Sequence, residues 1–492
     1  MSAPGPTASP ATGRYRWWVL GAVGASVALR LRFLATPLSV DEAGALVVAR
    51  SWGRGARLYT DVFVDRPQGV VALFQRWDAI AGGHTSAVRV LAVVAGAAVV
   101  VGAAATARAV SGSWRAGAAA AWLVAVLSSS AAIEGYAANG ELLAGACTVP
   151  AMAVGAAAAV RRIPPPWMAL AGVLAGAGLS VKQSGFDVLV ALGAWIVVAG
   201  IAGWRTRREA AVLAGWLVLG CGSVLAVAAV HGASLGWDAY AYAMWGFRAR
   251  ARSAIAGAQI GRMGLTLLLA VPLFAPAAAL ALVRIRRSAV PLRARVRPAH
   301  VLVLLWAAAA AGAFFVGGNY HRHYWIQLTF PFAVLVGIVL SADPRPDADR
   351  RLVRSIAGAV ALPLAVSLVL IAKPGLERDD RVDADRALAE WVRSHRDAPG
   401  DELLPLCASV TYYAEAGTDP PYPYLWVDHV RDGRDGPERL ADLLTGPARP
   451  AFVALHQPVS RCDPSGQVAA ALEQHYERVA TVDGVPVLRA TG

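Results

Sequence analysis

The feature that most constrains this chain is a succession of apolar runs, each about twenty residues long, joined by short connections rich in arginine. A hydrocarbon layer about 30 Å thick takes about 20 residues of helix to cross, and lipid leaves no partner for an open backbone. The runs predict about eleven spans, at 16–36, 88–109, 115–133, 140–160, 166–181, 185–203, 209–230, 263–284, 299–317, 324–341 and 354–372. The fifth and sixth are split only by Ser180-Val181-Lys182-Gln183-Ser184-Gly185. With 57% apolar residues and a mean hydropathy of +0.48, a soluble globular body is excluded. The first run lacks an A-x-A-type exit and continues as helix, so no cleavable signal peptide is expected.

Charge is divided unevenly along the chain. Residues 1–376 carry 34 basic and 13 acidic side chains, whereas residues 377–492 carry 12 and 20. That asymmetry fits two regions in different surroundings rather than nucleic-acid binding. Arg14/Arg16, Arg108/Arg115, Arg161/Arg162, Arg205/Arg207/Arg208, the Arg284–Arg297 cluster and Arg345/Arg350/Arg351/Arg354 all fall on one side of the predicted spans. By the positive-inside rule that side is the cytoplasm. The outer side then receives 37–87, Glu134 to Glu141, Lys182, 231–262, Asn319 to Tyr324 and everything after 372. The 231–262 loop breaks the charge rule with Arg248, Arg250, Arg252 and Arg262. An anionic partner and simple tolerance of the arginines both account for it.

The first outer loop holds five of those 13 acids: Asp41, Glu42, Asp61, Asp65 and Asp78. After Asp65-Arg66-Pro67 a helical pattern begins, with Val70, Leu73, Phe74 and Trp77 on one face and Gln75, Arg76 and Asp78 on the other. Such a helix lies along a membrane surface. Residues 377–492 read differently. They predict an amphipathic helix from Asp383 to Arg396, strands in LLPLCASV and PAFVALH, helices near 437–445 and 467–476, and a closing VATVDGVPVLRA hairpin turned by Asp-Gly. The expectation is a small α/β domain outside the membrane. Cys147 and Cys221 lie in apolar runs and read as small apolar residues. Cys407 and Cys462 share the outer region, where a disulfide and two free thiols are both open.

Polar side chains gather at the outer helix ends: Asp41, Glu42, Asp65, Arg66, Glu141, Lys182, His321, His323 and Tyr324. Moving a sugar off a lipid-phosphate carrier needs a carboxylate to deprotonate the acceptor, cations for the phosphate and an apolar groove for the lipid. Each residue also has a plain structural duty open to it. Asp41 and Asp65 could cap helices, Arg66 could reach lipid headgroups, and Glu141 suits a helix N-terminus. Lys182 is one of two lysines among 46 basic residues, and His321, His323 and Tyr324 could anchor at the interface.

Asp41-Glu42, Leu58-Tyr59 and Phe63-x-Asp65-Arg66-Pro67 together resemble the first outer loop of the GT-C membrane glycosyltransferases. The likeness is to the family of bacterial protein O-mannosyltransferases and lipid A aminoarabinose transferases. Asn139-Gly140-Glu141-Leu142-Leu143 resembles its Glu-bearing start of the fourth helix. Val181-Lys182-Gln183-Ser184-Gly185 resembles its Lys-x-x-Gly turn, and His323-Tyr324 with Pro331 its late His/Tyr segment. Arg66 stands where that family usually has Lys, and Gln68 replaces a second Pro, which keeps the charge and alters the geometry.

The resemblance implies a polytopic α-helical GT-C fold of about eleven transmembrane helices with a small extracytoplasmic α/β domain. Its divisions would be a disordered cytoplasmic N-terminus at 1–15, the transmembrane domain at 16–376 with its loop 37–87, and the outer domain at 377–492. The implied activity is transfer of a mannose- or arabinose-type sugar from a polyprenyl-phosphate donor, with inversion, to a lipid, glycan or protein acceptor at the plasma membrane. Asp41, with Glu42 beside it, would supply the base. Arg66, Lys182, His321, His323 and Tyr324 would meet the donor phosphate, with Asp65 and Glu141 nearby. No cofactor is required by this reading, and a divalent metal on Asp65 and a histidine is compatible with it. Two other readings compete. A transporter or flippase would place its charged groups near mid-membrane and show paired repeats. A mere anchor for the outer domain would need one span rather than eleven.

Overall fold

The computed structural model describes residues 10–251, 256–288, 296–342, 347–375, 378–398, 402–407 and 409–491. The expectations for residues 1–9, Arg252, Arg345 and the middle of the Arg284–Arg297 cluster lie outside the described residues. Two compact units emerge from the contacts. The first comprises Met1–Leu34, Arg89–Ala228 and Gly257–Pro374; the second comprises Ala35–Val88, Ala229–Ala256 and Gly375–Gly492.

The first unit is helical. Its helices are α1 (Pro10–Leu31), α4 (Ala87–Ser111), α5 (Trp114–Leu127), α6 (Gly140–Val160), α7 (Trp167–Val181), α8 (Asp187–Ile201), α9 (Arg207–Leu235), α12 (Ala256–Arg286), α13 (Pro298–Gly317), α14 (Trp325–Ser341) and α15 (Ala348–Ile371). They correspond one for one to the eleven predicted spans. Among the described residues, eight are long and apolar enough to cross a membrane, and α5, α7 and α8 are shorter apolar helices. Helix α6 packs on α7, α5 on both α1 and α14, and α8 on α13. Without a hydrophobic drive between helices in lipid, such contacts rely on small residues that admit close approach. Gly220 shows the extreme: a Cβ there would meet the Ala169 carbonyl oxygen at 2.0 Å.

Helix α5 stops early because Ser128, Ser129 and Ser130 replace the apolar run. Arg30, buried on α1, grips that turn. Its Nε donates to the Gly135 carbonyl at 2.9 Å, Nη2 to the Ser128 carbonyl at 2.8 Å, and Nη1 to Ser26 and Ser129. A buried guanidinium is tolerable only when its donors are matched in this way.

The second unit contains α2 (Val40–Gly53), α3 (Gln68–Ile80), α10 (Trp237–Ala241), one π-helical turn at Tyr242–Gly246, α11 (Phe247–Ala251) and the small α/β domain. Helix α3 buries Val70, Val71 and Phe74 against α2. Arg50 of α2 clamps Asp78 of α3 through Nε and Nη2, at 3.0 and 2.9 Å. The domain carries α16 (Asp380–His395), β1 (Leu403–Leu406), α17 (Val410–Ala416), α18 (Val427–Asp432), α19 (Gly436–Thr445), β2 (Phe452–Leu455), α20 (Gln467–His475), β3 (Tyr476–Val482) and β4 (Val485–Ala490). Its sheet has the order β1-β2-β4-β3, with β1 parallel to β2 and the other pairs antiparallel. Asp483 and Gly484 turn the last hairpin at φ of 45° and 78°, the left-handed pair that such a two-residue turn demands. Cys407 and Cys462 form a disulfide, with Cα atoms 5.5 Å apart. The short helices α17 and α18 fall where the sequence shows only loop composition.

Candidate functional site

Two polar clusters contain the candidate residues, one in each unit. In the first unit the cluster begins at the turn that Arg30 holds. Glu134 ends that turn in the left-handed region, at φ 56°. Its carboxylate receives Arg322 Nη2 at 2.6 Å and lies 2.7 Å from His323 Nδ1. Burial alone would raise the Glu134 carboxyl, but His323 and then Arg322 outweigh it and hold it down at about 2.

Helix α6 starts where Asn139 caps it, accepting from the Leu142 N–H at 2.9 Å, which sets Glu141 in the first turn. An acid there is favoured by the helix dipole. Lys182, the residue after α7, reaches across and donates from Nζ to Glu141. Both side chains are buried. The same Nζ lies 4.5 Å from the centre of the Tyr324 ring, within cation–π range. His323 Nε2 stands 3.8 Å from Glu141 Oε2, and the His321 ring stacks on His323 with centroids 5.3 Å apart. Glu141, Lys182, His321, His323 and Tyr324 thus form one contiguous group, although 41 residues separate Glu141 from Lys182 and about 140 separate Lys182 from His323. Glu134 and Arg322 complete it and were not among the predicted site residues. Their signal was weak: one acid among few in the membrane half, and one arginine between two histidines.

In the second unit Ser39 caps α2. The Glu42 backbone N–H donates to Ser39 Oγ at 3.3 Å, and Glu42 Oε2 accepts from the Ser39 N–H and Oγ at 3.0 and 2.9 Å. This reciprocal box gives buried Glu42 a structural duty. Asp41, one position earlier, is exposed and takes no part in the cap. The expected alternative for Asp41, a helix cap, is therefore filled by its neighbours.

Asp65 does not cap α3 either, since Pro67 occupies that position with no side-chain cap. Its buried carboxylate lies 2.7 Å from Arg248 Nη2, 3.6 Å from Arg66 Nη1 and 3.4 Å from His429 Nε2. Burial pushes the Asp65 carboxyl up, yet Arg248, Arg66 and His429 overcome it, so Asp65 stays well below the usual carboxylate range. The ring of His429 packs edge-on against Phe63, Phe247 and Trp426. Arg248 and His429 were not among the predicted site residues; only the odd charge of the 231–262 loop pointed toward Arg248. Two guanidiniums already flank this one carboxylate. A divalent cation would have to compete with both of them for Asp65. Among the described residues no group of three or more His, Cys, Asp or Glu side chains is arranged to hold a metal.

No protein-family model matches the chain, and no curated protein matches it in sequence. Solved structures do match its fold. ArnT from Cupriavidus metallidurans bound to undecaprenyl phosphate aligns over 97% of this chain and 98% of its own, at 14% identity and a TM-score of 0.62. The apo oligosaccharyltransferase of Archaeoglobus fulgidus aligns over 83% of this chain, at 14% identity and a TM-score of 0.55; the match spans 60% of that longer protein. The same organism's AglB, in complex with an inhibitory peptide and a dolichol-phosphate, aligns over 94% of this chain and 72% of its own, at 13% identity and a TM-score of 0.57. What such distant sequences share is architecture, and the chain has the fold of these ArnT and oligosaccharyltransferase structures.

Proposed function

We propose that this chain is a multi-pass membrane glycosyltransferase that takes its sugar from a polyprenyl-phosphate donor and delivers it to an acceptor hydroxyl outside the cytoplasm. The observation that carries this reading is the near-complete alignment with ArnT, a structure bound to undecaprenyl phosphate, in a chain that also offers lysine and arginine side chains in both polar clusters and an exposed carboxylate at Asp41. AglB, in a structure that contains a dolichol-phosphate, adds a second lipid-phosphate neighbour of the same fold.

The chemistry divides among residues as follows. Asp41 takes the proton of the acceptor hydroxyl as its oxygen attacks the anomeric carbon, and the bond from that carbon to the phosphate oxygen breaks on the opposite face. The electron pair leaves with the polyprenyl phosphate, and the configuration inverts. Asp41 is exposed and unencumbered by capping, as a general base must be. Lys182 in the first-unit cluster and Arg66 in the second are the cations we assign to donor-phosphate recognition. Asp65 and Glu141 orient these cations, and His321, His323 and Tyr324 line the approach to Lys182. A phosphate must share Lys182 with Glu141, which makes the contact directional rather than a diffuse attraction. A mannose- or arabinose-type sugar is the donor class we assign.

The test is incubation of the purified protein with a panel of radiolabelled polyprenyl-phosphate sugars, scored for donor consumption. Turnover of one donor with release of polyprenyl phosphate is expected. Inertness toward every polyprenyl-phosphate sugar, in protein shown to be folded, would overturn the assignment.

A further inference from the structure

Helices α8 and α9 leave a groove of about 420 Å³ between them, lined by Val197 and Ile201 on one side and Ala210, Ala211 and Ala214 on the other, with Arg207 at one end. That volume falls within the range of small-molecule sites. Val197 and Ile201 are 61% and 83% exposed, values that an aqueous surface would penalise and a lipid one does not. Helix α9 is among those long and apolar enough to cross the membrane, so the groove runs along hydrocarbon.

The mouth of the groove is cationic in an unusual way. Arg207 and Arg208 open α9, where the helix dipole already presents positive charge, so two cations there are placed against the local field. The acid of this turn is committed elsewhere. Glu209 accepts from the Thr206 N–H at 2.9 Å and pairs with Arg205 at 3.5 Å, and Arg205 is itself bound to the Ala159 carbonyl at 2.5 Å. Among the described residues no carboxylate pairs with Arg207 or Arg208, and both are exposed. A topology signal would accept arginines anywhere in this connection. An apolar trough ending at one of them is the feature such a signal does not explain.

We infer that this groove binds an anionic diacyl phospholipid, one acyl chain lying between α8 and α9 and the headgroup phosphate held by Arg207 and Arg208. The match is of shape and charge together: an open apolar trough for a chain and uncompensated guanidiniums for a phosphate. Lys182 precedes the N-terminus of α8 and the groove lies at its C-terminal end, 15 residues away. At 1.5 Å per residue that is about 22 Å, so this site is separate from the donor-phosphate cluster.

Native mass spectrometry of the full-length protein with equal concentrations of phosphatidylglycerol and phosphatidylcholine tests the inference. Phosphatidylglycerol adducts should dominate, and the preference should fall about five-fold per arginine removed in Arg207→Gln and Arg207→Gln/Arg208→Gln. Ala211→Trp, which fills the groove from an exposed position, should lower retention of both lipids. Unfolding temperatures without added lipid confirm that the variants fold. Excess glycerol phosphate, which has the headgroup without the chains, should displace nothing. Equal retention of the two lipids, a preference unchanged in the arginine variants, retention unchanged in Ala211→Trp, or displacement by glycerol phosphate would each overturn the inference.

Discussion

The Glu134 carboxylate lies 2.7 Å from His323 Nδ1, and this contact joins the turn after α5 to the segment before α14. Held at about 2 against an ordinary 4.5, the carboxyl favours the folded state wherever it is ionised in both states. Its contribution is complete above the ordinary value and is lost as pH falls toward about 2. Glu134→Gln should therefore be less stable than the parent at neutral pH, and the gap should close between about pH 4.5 and about pH 2. Thermal unfolding of both proteins in one detergent across that range is the check. Parallel curves at all pH values would show that the pair contributes nothing to folding.

Asp65 should behave as the anchor of a local network. Arg248→Ala leaves a buried carboxylate with Arg66 and His429 still beside it. The loss should be about 1.5–3 kcal/mol, less than the cost of stranding a charge entirely. Asp65→Asn in the same chain should restore most of that loss, because the charge that Arg248 compensates is then gone. A double-mutant cycle measured by denaturant unfolding decides it, and additive effects would sever the proposed pair.

The spans were legible because lipid imposes a length and an apolar composition that no other environment asks for. The Asp483-Gly484 hairpin was legible because its turn needs two left-handed residues. The sequence predicts a longer α5 than the structure has, since the polar grip of Arg30 on Ser128 and Gly135 arises only when α1 and α5 pack. The first-unit cluster was half visible: Glu141, Lys182, His323 and Tyr324 each sit at a helix mouth, where a charged group draws notice. Glu134 and Arg322 join through tertiary contact alone. His429, 364 residues after Asp65, lies in a stretch whose composition suggests only a loop, and nothing local to it announces a partner.

Removing the cations separates donor handling from acceptor handling. Arg66→Ala and Lys182→Ala should each weaken donor use by about 1.5–3 kcal/mol, the worth of a charge-assisted contact to an anion. The Lys182 variant removes the cation that Glu141 pairs with in a buried site, so Lys182→Ala/Glu141→Gln serves as its folding control. Steady-state kinetics with donor and acceptor varied in turn should show the donor KM rising while the acceptor KM holds. Unchanged donor kinetics in both variants would reduce Arg66 and Lys182 to structural cations.

Asp41 and Glu42 are neighbours whose surroundings predict opposite phenotypes. Glu42 is buried in its reciprocal cap with Ser39, so Glu42→Gln, which keeps the shape, should cost about 1 kcal/mol of stability or less and leave turnover near the parent's. Asp41 is exposed and makes no cap, so Asp41→Asn should leave stability unchanged. A sugar hydroxyl holds its proton too tightly to attack unaided, and an amide cannot accept that proton. Turnover in Asp41→Asn should therefore fall by roughly 10²–10⁴-fold while donor binding persists. The two readouts are a donor-consumption assay and donor-induced thermal stabilisation, run on both variants. Full activity in Asp41→Asn, with Glu42→Gln inactive but folded, would transfer the base to Glu42. Full activity in both would direct the search to Asp65.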